Sequence, residues 1–247
     1  MGNLIDLLKP KYMPVAIYRL DKIPDYGEPA EKGHCIVERL LLPSLGGKTV
    51  YADRERLGCA GALNGLGFGG EDPEHRENLL KIYSSGSEER PGRSFFCCPE
   101  IAHHNYADMI PVYGDGSGCI VFQPLDEAEK MGAPIETVMF LVDPLEYSAL
   151  MTLAMFSRET GDSVLRSGFG LSCEQIYAMP RQEGESEVPR MVFALTEFYT
   201  RRYFDDERFG ISMPFKLYKL MDEDCPFSFL KDDRWREAAK PKCDKCC

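Results

Sequence analysis

Twice along the chain a strand-like run leads into a helix, a glycine, a second strand and a cysteine. The first pass is Val15–Tyr18, a helix over Cys35–Leu45, Gly47, a strand at Thr49–Ala52 and then Cys59. The second is Val138–Val142, a helix over Pro144–Arg158, Gly161, a strand at Ser163–Arg166 and then Cys173. In both passes twelve residues separate the glycine from the cysteine. A repeated order of elements on this scale predicts an α+β fold: one domain over 1–225, built from two pseudo-repeated strand-helix-strand halves that share a mixed sheet with helices. The halves are expected at about 13–70 and 136–180, with residues 226–247 as a charged, cysteine-rich tail. On this alignment Cys59 and Cys173 fall at equivalent strand ends, where loops converge and ligands gather. Cys35 falls opposite Ala149, so the symmetry is broken there.

Local signals fill in the rest. Gly2–Lys9 has helical apolar spacing, residues 20–33 read as a loop, and Gly46-Gly47 supplies a left-handed cap. Gly58–Gly70 reads GCAGALNGLGFGG, a stretch stripped of side chains. Asp72-Pro73 starts a helix to Tyr83, with aspartate as cap and proline at the first helical position. A short helix carries His103 and His104 as far as Met109. Cys119–Phe122 and Thr137–Val142 are strands, and Asp143-Pro144 caps the next helix. A short helix over Cys173–Met179 is ended by Pro180, Met191–Leu195 is a strand, and Pro214–Met221 is the last packed element.

Charge narrows the partners. Forty acidic against twenty-nine basic residues give a net charge of −11, which repels polyphosphate backbones, so nucleic acid is not expected. The longest apolar-leaning run, Ile135–Phe156, is interrupted by Glu136, Asp143, Pro144 and Glu146, too often for a membrane span. The start has no apolar core or small-residue cleavage site of a signal peptide. A cytoplasmic protein is expected, with a small molecule or a redox protein as partner.

Ten cysteines are many for such a chain, and in a reducing compartment they point to metal, cluster or thiol chemistry before a disulfide frame. Buried filler is the plain alternative, since free cysteine is among the most buried residue types. The segments GHCIVERLLLPSLGG and GCAGALNGLGF, with the later block from Cys173 to Pro180, resemble the uncharacterised prokaryotic family called domain of unknown function 169. The resemblance covers about residues 13–221. It implies that Cys35, Cys59 and Cys173 match recurring cysteines of the family, and it brings no activity with it. Cys97-Cys98 and the cysteines near the end lie outside the pattern.

Three thiols, Cys35, Cys59 and Cys173, with Cys98 as a fourth, are therefore the candidate metal ligands. An iron–sulfur cluster is the first cofactor expected, with zinc or none as alternatives. Glycines around Cys59 give a cluster room for close approach, and a helix start favours the Cys35 thiolate. Gly58, Gly61, Cys97, His103 and Arg201 are candidate ligand-binding residues. A histidine could carry a proton near neutral pH, and the Arg201-Arg202 pair could clamp an anion. Surface ion pairing with Asp205, Asp206 or Glu207 is the plainer role for those arginines. Cys243-Asp-Lys-Cys246-Cys247 is a half-site without a second pair, read as a mobile thiol arm, a soft-metal or cluster ligand supplied to the main site, or a disordered end. Gly65-x-Gly67-x-x-Gly70 has the letters of a dinucleotide fingerprint but neither the preceding strand nor the later acid. Two functions remain: a redox or sulfur-linked protein holding a cluster or soft metal, or a small-molecule module with a Gly/Cys-lined pocket and no metal.

Overall fold

A computed structural model describes residues 2–33, 35–69, 73–86, 88, 91–106, 116–168 and 170–240. The expected cap at Asp72, the helix end at Met109, Gly70 and the cysteines at 243, 246 and 247 lie outside the described residues. The strands are β1 (Val15–Leu20), β2 (Glu28–Pro29), β3 (Val50–Asp53), β4 (Cys119–Pro124), β5 (Thr137–Val142), β6 (Leu165–Arg166), β7 (Met191–Ala194) and β8 (Phe209–Pro214). They form one eight-stranded sheet in the order β2-β3-β4-β1-β5-β8-β7-β6. The outermost pairs, β2/β3 and β6/β7, are parallel and the rest antiparallel, so the sheet is mixed as expected.

The central strands are covered on both faces, so every residue of β4 and β5 is buried, the polar Gln123 and Thr137 included. Alternation sorts β1 between two layers. Val15 and Ile17 pack into one core, Ala16 and Tyr18 into the other. The second layer is built on α1 (Asn3–Leu8), α6 (Leu125–Met131), α7 (Pro144–Leu153) and α10 (Phe215–Asp224). The first holds two π-helical turns, Val37–Leu41 and Glu174–Ala178, each running on into a short α-helix, α2 (Leu42–Leu45) or α8 (Met179–Glu183). With them pack α3 (Ala60–Gly65), α4 (Pro73–Tyr83) and Ala102 of α5 (Pro99–Tyr106). The remaining helices are α9 (Phe198–Arg201) and α11 (Arg234–Ala238). None of the described helices is long and apolar enough to cross a membrane.

Two related halves are present, joined back to back where β1 meets β5. Ala16 pairs with Val138, and the flanking pairs Val15↔Met139 and Ile17↔Thr137 exchange under a local two-fold axis. The same axis maps Val15↔Pro124 onto Thr137↔Pro214. It also maps the bond from the Leu125 N–H to the Pro14 carbonyl (2.8 Å) onto that from Phe215 to Glu136 (2.9 Å). In each half a proline closes the strand and a helix follows at once, because proline fixes φ and has no N–H for the ladder.

The phase of the repeat differs from the expected one. The counterpart of the Cys35–Leu45 segment is the π-turn at 174–178, not α7; Pro43 and Pro180 each stand second in the α-helix after a π-turn. Cys35 therefore corresponds to Ser172 and Ile36 to Cys173, in place of the Cys59–Cys173 and Cys35–Ala149 matches. Pro180 does not end a helix: the wider π-turn before it relieves the clash and missing bond that proline causes in a regular helix. The α7 helix is extra to the second half and stops at Leu153, short of Arg158; Asp143 caps it as expected, and Glu146 completes a capping box. The first half runs past residue 70, since β4 and α6 belong to it. The glycine-rich stretch is not all loop, because α3 occupies it. Nor does a tail begin at 226: Leu230 is 1% exposed, and Phe229 and Trp235 pack on the second core.

Candidate functional site

The two π-turns begin side by side on the first layer, and a cavity of about 370 Å³ lies between their starts. Cys35, Ile36 and Val37 line it from the first half, Leu171, Ser172 and Cys173 from the second. Two more helix starts reach it: Cys59, whose sulfur caps α3, and Glu197, which precedes α9 without its side chain capping it. These helices follow β3 and β7, equivalent strands, so thiol and carboxylate occupy corresponding places. Leu79, Ile82 and Tyr83 of α4 close another side.

Glycine is what lets α3 come so close. A Cβ at Gly65 would lie 2.7 Å from the carbonyl carbon of Cys173 and from the amide nitrogen of Glu174, inside contact distance of backbone that cannot move aside. At Gly61 it would lie 2.3 Å from a methyl of Leu171 and 3.6 Å from the Cys173 sulfur. The small residues of GCAGALNGLGF thus press a helix from one half onto the start of a π-turn in the other, and Cys59 and Cys173 share a wall as a result.

The polar lining is sorted by burial. Cys59 Sγ accepts the Ala62 N–H at 3.4 Å. Burial pushes its thiol up, while the amides of Ala62 and Gly61 pull the other way. Cys173, 6% exposed, is raised well above the ordinary thiol range by burial, reinforced by Cys59 and Glu197. Both thiols therefore hold their protons at neutral pH. The Glu197 carboxylate accepts from Arg93 Nη1 at 3.0 Å and from the Ser172 N–H at 3.3 Å; burial raises it, and Arg93 and the amide oppose that. Arg93 lies over the Tyr199 ring, 4.8 Å from its centroid. Ser172 and Thr200 hydroxyls pair at 2.8 Å. Behind the wall, the buried Glu174 carboxyl accepts the Leu171 N–H at 2.9 Å and is held well above the carboxylate range by burial.

Of the residues expected at a site, Cys35, Cys59, Cys173, Gly58 and Gly61 line this one cavity. The others are elsewhere. Cys97 is exposed, Cys98 caps α5 beside Glu100, and His103 is exposed on that helix; none is among the cavity's described lining. Arg201 donates to the Arg208 carbonyl at 2.7 Å and the Asp205 carbonyl at 3.1 Å, and it makes no ion pair with Asp205, Asp206 or Glu207. Its neighbour Arg202 reaches the cavity instead. Glu197, Arg93, Tyr83 and Ser172 escaped the sequence reading. Glu197 and Ser172 were within reach of it, because the repeat in its observed phase sets them opposite Cys59 and Cys35.

A metal or cluster was tested against the donors. Among the described residues no three His, Cys, Asp or Glu side chains are grouped so as to hold a metal ion. The three cavity thiols share walls without converging on one point, and Cys98 does not join them.

Fold and site together define a class: a two-halved α+β protein with a thiol-lined cavity between the halves. The chain belongs to the uncharacterised ArCR family, domain of unknown function 169, whose model matches residues 3–224. No curated protein and no solved structure matches it.

Proposed function

We propose that the cavity binds a small organic molecule, apolar where it meets Ile36, Val37, Leu79, Ile82 and Leu171, with the thiols of Cys35, Cys59 and Cys173 turned to it. One observation carries this reading: three cysteines from distant parts of the chain line a single cavity of about 370 Å³, a volume suited to a small ligand. The apolar walls and the few placed polar groups, Glu197 with Arg93 among them, fit such a ligand better than a bare ion. A cytoplasmic setting is part of the proposal, because it keeps the thiols reduced.

A second reading rests on the same sulfurs. Cys35, Cys59 and Cys173 would hold a soft metal or an iron–sulfur cluster in a redox or sulfur-linked role, with a redox protein as partner. For that they must turn toward a common point and lose protons that burial now keeps on Cys59 and Cys173.

Two measurements separate the readings. With 1-octanol as an apolar probe, N-ethylmaleimide labelling of Cys35 and Cys59 is expected to slow at least tenfold while Cys97 labels at an unchanged rate. Equal rates with and without octanol count against an organic ligand. Protein purified without oxygen is then analysed for iron, sulfide and zinc. Stoichiometric metal lost on replacing any one of the three cysteines by serine establishes the second reading, and metal-free, colourless protein removes it.

A further inference from the structure

A second cavity, of about 560 Å³, opens beside the first and shares Cys35, Gly58 and Arg202 with it. Its character is different. Four basic side chains, Lys32, Arg39, Arg56 and Arg202, line it against two acidic ones, Glu38 and Glu55. In a chain of net charge −11 such a basic concentration runs against the overall composition.

The four cations are not equally engaged. Arg39 is ion-paired with Glu31 and lies 3.6 Å from Glu38, and Arg56 lies 3.9 Å from Asp53 and donates to the Ala30 carbonyl at 3.1 Å. These two are structural. Arg202 donates to the neutral hydroxyl of Tyr203 at 2.9 Å, and Tyr203 in turn donates to Glu38 at 3.2 Å. Neither Arg202 nor Lys32 has an ion-pair partner among the described residues, and both are exposed to the outer cavity. The inner cavity is apolar and thiol-lined, the outer one carries two cations outside any described ion pair, with Glu38 near enough to act on Arg202, and Cys35 stands at their junction.

From this juxtaposition we infer that the ligand is an elongated anion: a carboxylate or phosphate headgroup sits in the outer cavity between Lys32 and Arg202, and an apolar body passes Cys35 into the inner one. A guanidinium holds either headgroup through paired hydrogen bonds, and the ammonium adds a point charge. The inference rests on the organic-ligand reading of the inner cavity and adds the headgroup and its anchors.

Octanoate and octyl phosphate, with 1-octanol as the neutral control of equal chain length, test it by titration against thermal unfolding of the full chain. At least one anion is expected to bind about tenfold more tightly than octanol. That advantage should shrink in Lys32→Ala and in Arg202→Ala, vanish in the double variant, and be only partly kept in Arg202→Lys, whose ammonium supplies the charge without the paired hydrogen bonds. Both arginine variants change an exposed side chain, and their unfolding temperatures without probe serve as the folding control. Octanol binding as tightly as both anions overturns the headgroup assignment and leaves the inner cavity's reading intact. An anion advantage that survives in the double variant overturns the anchors. Failure of all three probes to bind overturns the reading of the inner cavity itself, and this inference with it.

Discussion

Glu174 is a residue whose chemistry is altered by its place. Buried behind the cavity wall, its carboxyl is held well above its ordinary value near 4.5 in the folded chain. An acid so raised takes up a proton on folding, so its favourable contribution is complete below about pH 4.5 and is lost as pH climbs toward the folded value. Glu174→Gln keeps an acceptor for the Leu171 N–H and removes the titration. Urea unfolding measured from pH 4.5 to 8 should show the native chain losing stability relative to the variant, by at most about 1.4 kcal/mol per pH unit. Parallel stability profiles would show that the carboxyl is not buried as described. At this scale the sequence was informative about sulfur and silent about oxygen. Cys35, Cys59 and Cys173 stand out by type, whereas Glu197 is one of forty acidic residues and is marked only by its position after β7.

Among the elements, α3 packs closely through its glycines. Gly65→Ala sets a methyl against the backbone of Cys173 and Glu174, and overpacking of this kind costs about 1–3 kcal/mol. At Gly161, where nothing lies within 4 Å, the same substitution should change stability by less than about 0.5 kcal/mol. Equal effects in chemical denaturation would mean that α3 does not press on the second π-turn. Elements with a strong local signal were legible: β5 has the expected bounds, Thr137–Val142, and the Asp143-Pro144 start of α7 carries its capping box. Those hidden in the sequence draw their stability from neighbours. The strand β8 contains Gly210, whose position against the Ala194 backbone leaves no room for a side chain, and Ser212, an unpromising pair of strand residues. The short helix α6 starts directly after Pro124, and the four-residue α9 is too brief for any periodicity. The π-turns have no sequence signature apart from the proline that follows each of them.

For the molecule as a whole, the segment after α10 belongs to the core. Leu230 is buried within the layer that holds α1, α7 and α10, so Leu230→Ala should lower the unfolding free energy by about 2–5 kcal/mol. A change within 0.5 kcal/mol would return residues 226–240 to the status of a tail. Charge and loss of periodicity had suggested one there, because a closing segment of single turns contributes only isolated apolar anchors. The two-fold relation between halves was visible in the order of elements but not in its phase, since glycine–cysteine spacing is a weaker guide than strand pairing.

That relation has a consequence for whatever enters the cavity. Across the axis a thiol stands where its counterpart is a hydroxyl (Cys35 and Ser172), and an alkyl group where its counterpart is a thiol (Ile36 and Cys173). At the starts of α3 and α9 a thiol likewise answers a carboxylate, Cys59 and Glu197. The axis relates the backbone at these three pairs of positions, yet the side chains agree at none of them. A visitor turned end for end meets new chemistry at each, and a symmetric frame thereby acquires a preferred direction.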